Sequence, residues 1–214
     1  MSRPAKIIID LAAIQANCRL AQTLAPYSKT VAVIKADAYG HGAVEVAQAL
    51  EPLVEMFTVS CLEEALVLRV NGLSKPILLL EGCFDETELE VATDNQCELV
   101  VHSRLQLEQL LNTTIKTPLN IWLKIDTGMH RLGILPQEVA TIYAELAASS
   151  NVNNIILMTH FAHADDVGGA HTAMQISRFE TCIAPIVDNA NQKVELSMAN
   201  SAAILAWHQT RVDW

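Results

Sequence analysis

The sequence has little positive charge, no closely spaced cysteine pair and no long apolar run. Fourteen lysines and arginines face 24 aspartates and glutamates across 214 residues, a formal net charge of −10. No basic run offsets that balance, so the electrostatic footprint of a nucleic-acid binder is missing. Cys18, Cys61, Cys83, Cys97 and Cys182 are odd in number, widely spaced and never in a CxxC arrangement. That argues against a disulfide framework and against a structural zinc site, and for reduced thiols. No apolar stretch approaches the roughly 18 residues that a membrane span needs. The start, MSRPAKIIIDL, lacks the apolar core and cleavage site of a signal peptide. A soluble, cytoplasmic protein is expected. Linkers, low-complexity segments and internal repeats are missing too, so residues 1–214 are expected to form one domain.

What is present is globular: 51% of residues are hydrophobic and 18% charged. Short β-branched or apolar runs alternate with longer amphipathic stretches. KIIID precedes LAAIQANCRLAQTLA, TVAVIK precedes GAVEVAQALEP, and PLNIWLKID precedes LPQEVATIYAELAAS. Asp85 and Ser103 sit where helix N-caps belong, with Glu88 at capping-box spacing from Asp85. Asn71-Gly72 reads as a helix stop. The runs are continuously apolar rather than alternating, as in strands covered on both faces. The pattern predicts one leading strand and seven strand–helix units in a parallel α/β sheet. An open doubly wound sheet could hold seven strands; a (β/α)8 barrel wants eight and about 250 residues.

In a parallel barrel, chemistry sits at the C-terminal ends of the strands. Those ends carry Lys35, Ser60, Glu81, His102, Lys124, Asp126, Arg131, His160, His163, Ser197, Asn200 and Ser201. A lysine ending an apolar strand is costly unless its charge is used, lost or carried out to solvent. Burial lowers an amine's pKa and makes it nucleophilic, which suits a Schiff base with a cofactor. Tyr39-Gly40-His41-Gly42 fits either an anion-binding helix start or an ordinary turn. Arg131 offers a planar fork for an oxyanion or carboxylate, or a surface salt bridge to Asp126. His160 and His163, with Asp165 and Asp166, could ligate a metal at loose spacing, or His160 could be a hydrogen-bonded barrel histidine.

Four segments, VAVIKADAYGHG, WLKIDTGMHRLG, MTHFAHAD and MANSAAIL, together resemble the alanine racemases, fold-type III pyridoxal 5'-phosphate enzymes. The resemblance implies an isomerase on a TIM-type (β/α)8 barrel, here incomplete, supplying D-alanine for peptidoglycan. Lys35 matches the lysine that bonds to the cofactor and works one face of the substrate Cα. Tyr39, Asn200 and Ser201 match the surroundings of the cofactor phosphate, and His160 matches a histidine that backs the arginine at the pyridine nitrogen. Arg131 matches the arginine near the phenolic oxygen and the substrate carboxylate. Lys124 matches a lysine that is carbamylated in some members. The second face belongs to a tyrosine from the partner subunit's C-terminal domain, so a homodimer is implied. That C-terminal β domain and an Arg-Pro-Gly segment of the last strand have no counterpart here. A fragment with little activity of its own is therefore expected. A broad-specificity racemase and a non-catalytic pyridoxal-phosphate module are the alternatives.

Overall fold

Continuous apolar runs become the strands of one parallel sheet. The computed structural model describes residues 5–190 and 192–214. Seven strands follow in chain order: β1 Val31–Val33, β2 Met56–Val59, β3 Ile77–Leu79, β4 Cys97–Val101, β5 Leu119–Lys124, β6 Val152–Met158 and β7 Glu195–Ser197. Each pairs only with its neighbours in sequence, giving the order β1-β2-β3-β4-β5-β6-β7. A doubly wound sheet reverses its strand order partway, so that architecture is excluded. The sheet is an incomplete TIM-type barrel, with seven strands among the described residues.

The pleat explains the apolar runs. Met56, Leu78, Val100, Trp122, Ile156 and Met158 point inward and form one buried cluster. Their neighbours Phe57, Ile77, Leu79, Leu99, Val101, Ile121, Leu123, Ile155 and Leu157 point outward into a second cluster beneath the helices. Both faces are dry, and each fully buried side chain of this kind contributes about 1.5–3 kcal/mol. The helices are α1 Leu11–Leu24, α2 Lys35–Gly40, α3 Ala43–Leu50, α4 Leu62–Val70, α5 Glu86–Asp94, α6 Arg104–Asn112, α7 Val139–Ala147, α8 Ala170–Val187 and α9 Ser201–Ala206. None is long and apolar enough to cross a membrane among the described residues. Asp85 caps α5 by accepting from Thr87 and Glu88, Ser103 caps α6, and α4 stops at Val70 before Asn71-Gly72. The five cysteines are free.

The leading strand predicted at KIIID is absent. Residues 6–10 join no ladder and no helix, and Ile7 and Ile8 are 86% and 88% exposed. β-propensity needs a partner strand to act on, and none lies beside this segment. The sheet instead curls round so that its two ends meet low in the barrel. Lys29 N–H donates to the Asp213 carbonyl at 2.8 Å, and Trp214 N–H donates to the Leu196 carbonyl at 3.1 Å. Above that bridge, β1 and β7 stand apart, and the interior opens into a cleft.

Candidate functional site

The cleft measures about 930 Å³ and gathers Lys35, Tyr39, Lys124, Arg131, His160, Asn200 and Ser201 from four separate stretches of chain. Trp122, Leu78 and Met158 of the inner cluster form part of its wall. Ser60 and Glu81 join them, and Glu81 is the only acidic side chain on the lining among the described residues.

Lys35 is presented by an uncommon piece of backbone. β1 stops at Val33, and α2 then turns left-handed: Ala36, Asp37, Ala38 and Tyr39 have φ of 50°, 54°, 51° and 55° with ψ of 53°, 47°, 47° and 37°. Each such residue costs about 1–2 kcal/mol. The surroundings hold the turn by several independent bonds. Ala38 N–H donates to the Ile34 carbonyl at 2.9 Å, and the Ala38 carbonyl meets the His41 Nδ1 at 2.9 Å. Ala36 N–H donates to Glu64 Oε1 at 2.8 Å. The Asp37 carboxylate accepts from Ala43 N–H at 2.7 Å, at the start of α3. Gly40 and Gly42, with φ of 83° and 87°, carry the chain from the turn into α3. The helix predicted to open at Tyr39-Gly40-His41-Gly42 thus begins at Ala43. Tyr39 is exposed at the rim, and Lys35 is half-buried.

Lys124 ends β5 with 6% of its surface exposed. Burial, then Arg131 and Lys35, push its pKa down to about 8, against the opposing pull of Asp126. Arg131 lies on the loop that leaves β5 and doubles back. Asp126 N–H donates to the Ile134 carbonyl at 2.9 Å and Ile134 N–H to the Lys124 carbonyl at 2.8 Å. Asp126 pairs with His130 at 3.1 Å rather than with Arg131, so the surface salt bridge considered for Arg131 does not form. Burial works to raise the Asp126 pKa, but N–H donors from His130 and Gly128 and the His130 ring hold it below the usual range. His160 follows β6, and its pKa is pushed down to about 4 by burial, then by Lys124, Arg131 and Lys35. Its imidazole is neutral at pH 7. Asn200 caps α9 by accepting from Ala203 N–H, and it donates to the Phe161 carbonyl at 3.3 Å, tying the β7 end to the β6 end. Ser201 opens α9 on the cleft.

His163 is exposed and sits against the His171 ring, with centroids 5.1 Å apart, not on the cleft. No group of three or more metal-ligating side chains occurs among the described residues, so the metal alternative finds no support there.

Several supporting residues escaped the sequence reading. Gln175 of α8 is fully buried; its amide donates to the His160 carbonyl at 3.1 Å and Thr127 Oγ1 at 3.3 Å, and accepts from Ala162 N–H at 3.0 Å. Thr127 and Thr159 share a hydrogen bond of 2.8 Å beneath it. Gln106 of α6 accepts from His102 N–H at 3.0 Å and donates to the Glu81 carbonyl at 2.6 Å. Only the helical offset of four between His102 and Gln106 is visible locally; the Gln175 partners lie too far along the chain.

The fold and its cation-lined mouth define a parallel-barrel domain suited to a small anionic ligand. The chain belongs to the family described as alanine racemase, N-terminal domain, whose profile matches residues 9–214. It is 46% identical over 212 residues to an alanine racemase of Pseudomonas entomophila, covering 99% of this chain and 57% of that protein. A catabolic alanine racemase of Pseudomonas putida matches to the same extent. Among solved structures, the biosynthetic alanine racemase of Pseudomonas aeruginosa superposes with a TM-score of 0.89 at 40% identity, over 96% of this chain and 56% of that one. Acinetobacter baumannii alanine racemase gives 0.85 at 33% identity. The chain thus spans a little over half the length of the relatives it matches.

Proposed function

We propose that this chain is the cofactor-holding part of an alanine racemase that uses pyridoxal 5'-phosphate to interconvert L- and D-alanine. The observation that carries the reading is the convergence of Lys35, Lys124 and Arg131 on one cleft with a single lining carboxylate. Such a donor set suits an anion that also bears an aldehyde. In this reading Lys35 would hold the aldehyde carbon, water leaving as the carbon–nitrogen bond forms, and Tyr39 and Ser201 would donate hydroxyl hydrogen bonds to the phosphate. Asn200 fixes the turn that carries Ser201, and neutral His160 stands beside the ring. Arg131 takes the phenolic oxygen and the substrate carboxylate through its fork. Bound there, the cofactor supplies an electron sink that makes the substrate Cα proton acidic.

Freed when the substrate amine takes its place on the aldehyde carbon, Lys35 Nζ would remove or return a proton on one face of Cα. Arg131 stays protonated and cannot act as a base; on the resemblance, the second face belongs to a tyrosine of the partner subunit's C-terminal domain. The reading therefore includes a homodimer in which the partner supplies it, and it assigns little racemisation to residues 1–214 alone. The Lys124 amine, with a pKa near 8, is about one-tenth unprotonated at pH 7. That fraction can add carbon dioxide: an N–C bond forms, one proton leaves to solvent, and the resulting carbamate anion pairs with Arg131. Labelled bicarbonate and carbon NMR read this directly.

The deciding experiment is a titration with pyridoxal phosphate, followed by borohydride reduction and peptide mapping. A visible imine band and a single adduct on Lys35, both lost in Lys35→Ala, are expected. Adducts scattered over surface lysines, or a band unchanged in Lys35→Ala, would overturn the reading.

A further inference from the structure

Three helices place a side chain of the same length against the strand ends they follow. Glu64 of α4 accepts from Ser60 N–H at 2.8 Å with one oxygen and from Ala36 N–H at 2.8 Å with the other. Gln106 of α6 accepts from His102 N–H and donates to the Glu81 carbonyl. Gln175 of α8 accepts from Ala162 N–H and donates to the His160 carbonyl. Donor and acceptor counts explain the choice of residue. Where a strand end offers one N–H and one carbonyl, an amide satisfies both. At α4 both groups offered are N–H, each reaching a different side-chain oxygen, and a carboxylate accepts at both where an amide would present an NH2 to one of them.

The Ala36 N–H has a particular reason to need such an acceptor. It belongs to the first residue of the left-handed turn, immediately after Lys35, beyond the last β1–β2 pair, Val33 with Thr58. Glu64 ties that amide to Ser60, at the end of β2, and so couples the turn that carries Lys35 to the rigid sheet.

We infer that Glu64 is a positioning residue for Lys35: its carboxylate holds the left-handed turn in register and so aims the lysine into the cleft. The role in catalysis rests on the cofactor reading above; the anchor itself does not. Glu64→Gln keeps the size but leaves one of the two N–H groups facing an NH2. Glu88→Gln is the matched control, because Glu88 occupies the corresponding position of α5 and accepts only from Phe84 N–H at 2.7 Å.

Three measurements on the whole chain test the anchor. Charge-assisted hydrogen bonds of this kind contribute about 1.5–3 kcal/mol, so amide exchange at Ala36 or Ser60 should quicken about 10- to 100-fold in Glu64→Gln. Competitive acetylation should label Lys35 severalfold faster in that variant. The pyridoxal phosphate concentration that half-saturates the visible band should rise about tenfold. Glu88→Gln should change none of these, and the two variants should melt within a few degrees of each other; Glu64→Ala, lacking both acceptors, should exceed Glu64→Gln on every readout. Unchanged exchange and unchanged Lys35 labelling in Glu64→Gln would overturn the anchor. A wild-type chain without any visible band, but with both other effects present, would sink the cofactor reading and leave the anchor standing.

Discussion

Lys29 donates its backbone N–H to the Asp213 carbonyl and pairs its Nζ with Glu195 of β7, and there the two ends of a seven-stranded sheet meet. The same end of the chain delivers Trp214, whose ring lies 5.2 Å from the Trp122 ring, centroid to centroid. Lys29 Nζ stands 4.2 Å above it, and its indole N–H donates to Glu195 at 3.0 Å. Trp214 thus fills the low end of the barrel and lines the cleft there.

Trp214→Ala is expected to cost about 2–4 kcal/mol, combining lost aromatic burial, the ring pair and the cation over the ring. Urea unfolding measures it. A change below about half a kcal/mol would mean that the closure of the sheet does not depend on this ring.

Lys124 gives a pH signature. Its folded pKa near 8 lies below the ordinary 10.5. Between those values the unfolded chain binds a proton that the folded chain does not, so stability rises with pH through that window. Below pH 8 the full penalty of the buried cation applies, about 3 kcal/mol as an upper bound. In carbon dioxide-free buffer, Lys124→Met should therefore be more stable than the parent at pH 7, and should lack the parent's gain between pH 8 and 10. An identical slope in both proteins would show that another group titrates.

His160 acts in the opposite pH range. The folded pKa near 4 against an ordinary 6.5 means that the unfolded chain charges first on acidification. Stability is lost as pH falls from 6.5 towards 4, by about 2 kcal/mol after allowance for partial exposure. His160→Gln should flatten that part of the profile, read by urea midpoints at pH 6.5, 5.5 and 4.5.

Gln175 is a purely structural test of the cleft wall. Gln175→Leu removes partners from the His160 carbonyl, the Ala162 N–H and Thr127 Oγ1. Unsatisfied buried groups cost about 1–3 kcal/mol each, and partial rescue by water brings the expected total to about 2–4 kcal/mol. Thermal melts check this. A neutral outcome would show that the three groups find water.

The residues that the sequence made legible are those whose chemistry contradicts their local setting. Lys35 and Lys124 end apolar strands, and Gly40 and Gly42 bracket a histidine; each is odd within ten residues of itself. The strands were legible because burial on both faces leaves no polar position, and Asp85 and Ser103 because caps are local. The left-handed turn was not legible, since Ala36, Asp37, Ala38 and Tyr39 carry no signal for positive φ; bonds from Glu64 and His41 impose it. Gln175 stayed hidden because Thr127 lies in another strand–helix unit, and Glu64 because an acid in a helix's first turn is ordinary. KIIID was misread for the converse reason: its residues favour a strand, yet the fold gives them no neighbour to pair with.

Gly133 shows how closely the Arg131 loop is constrained. Its φ is +144°, and a Cβ there would lie 2.5 Å from the Asp126 nitrogen and 2.9 Å from the Ile125 carbonyl carbon. Neither atom can move without breaking the bonds from Asp126 to Ile134 and from Ile134 to Lys124 that fold the loop back. Gly133→Ala should therefore cost about 2–3 kcal/mol through strain at a positive φ and a backbone clash, measured by urea unfolding. It should also move Arg131 away from Lys124. Arg131 is the second-ranked cause of the low Lys124 pKa, after burial, so the Lys124 titration should shift upward in the variant, towards 10.5. Carbon NMR of labelled lysine reads that shift. A Lys124 that titrates unchanged in Gly133→Ala would show that the Arg131 loop does not set the charge balance of the cleft.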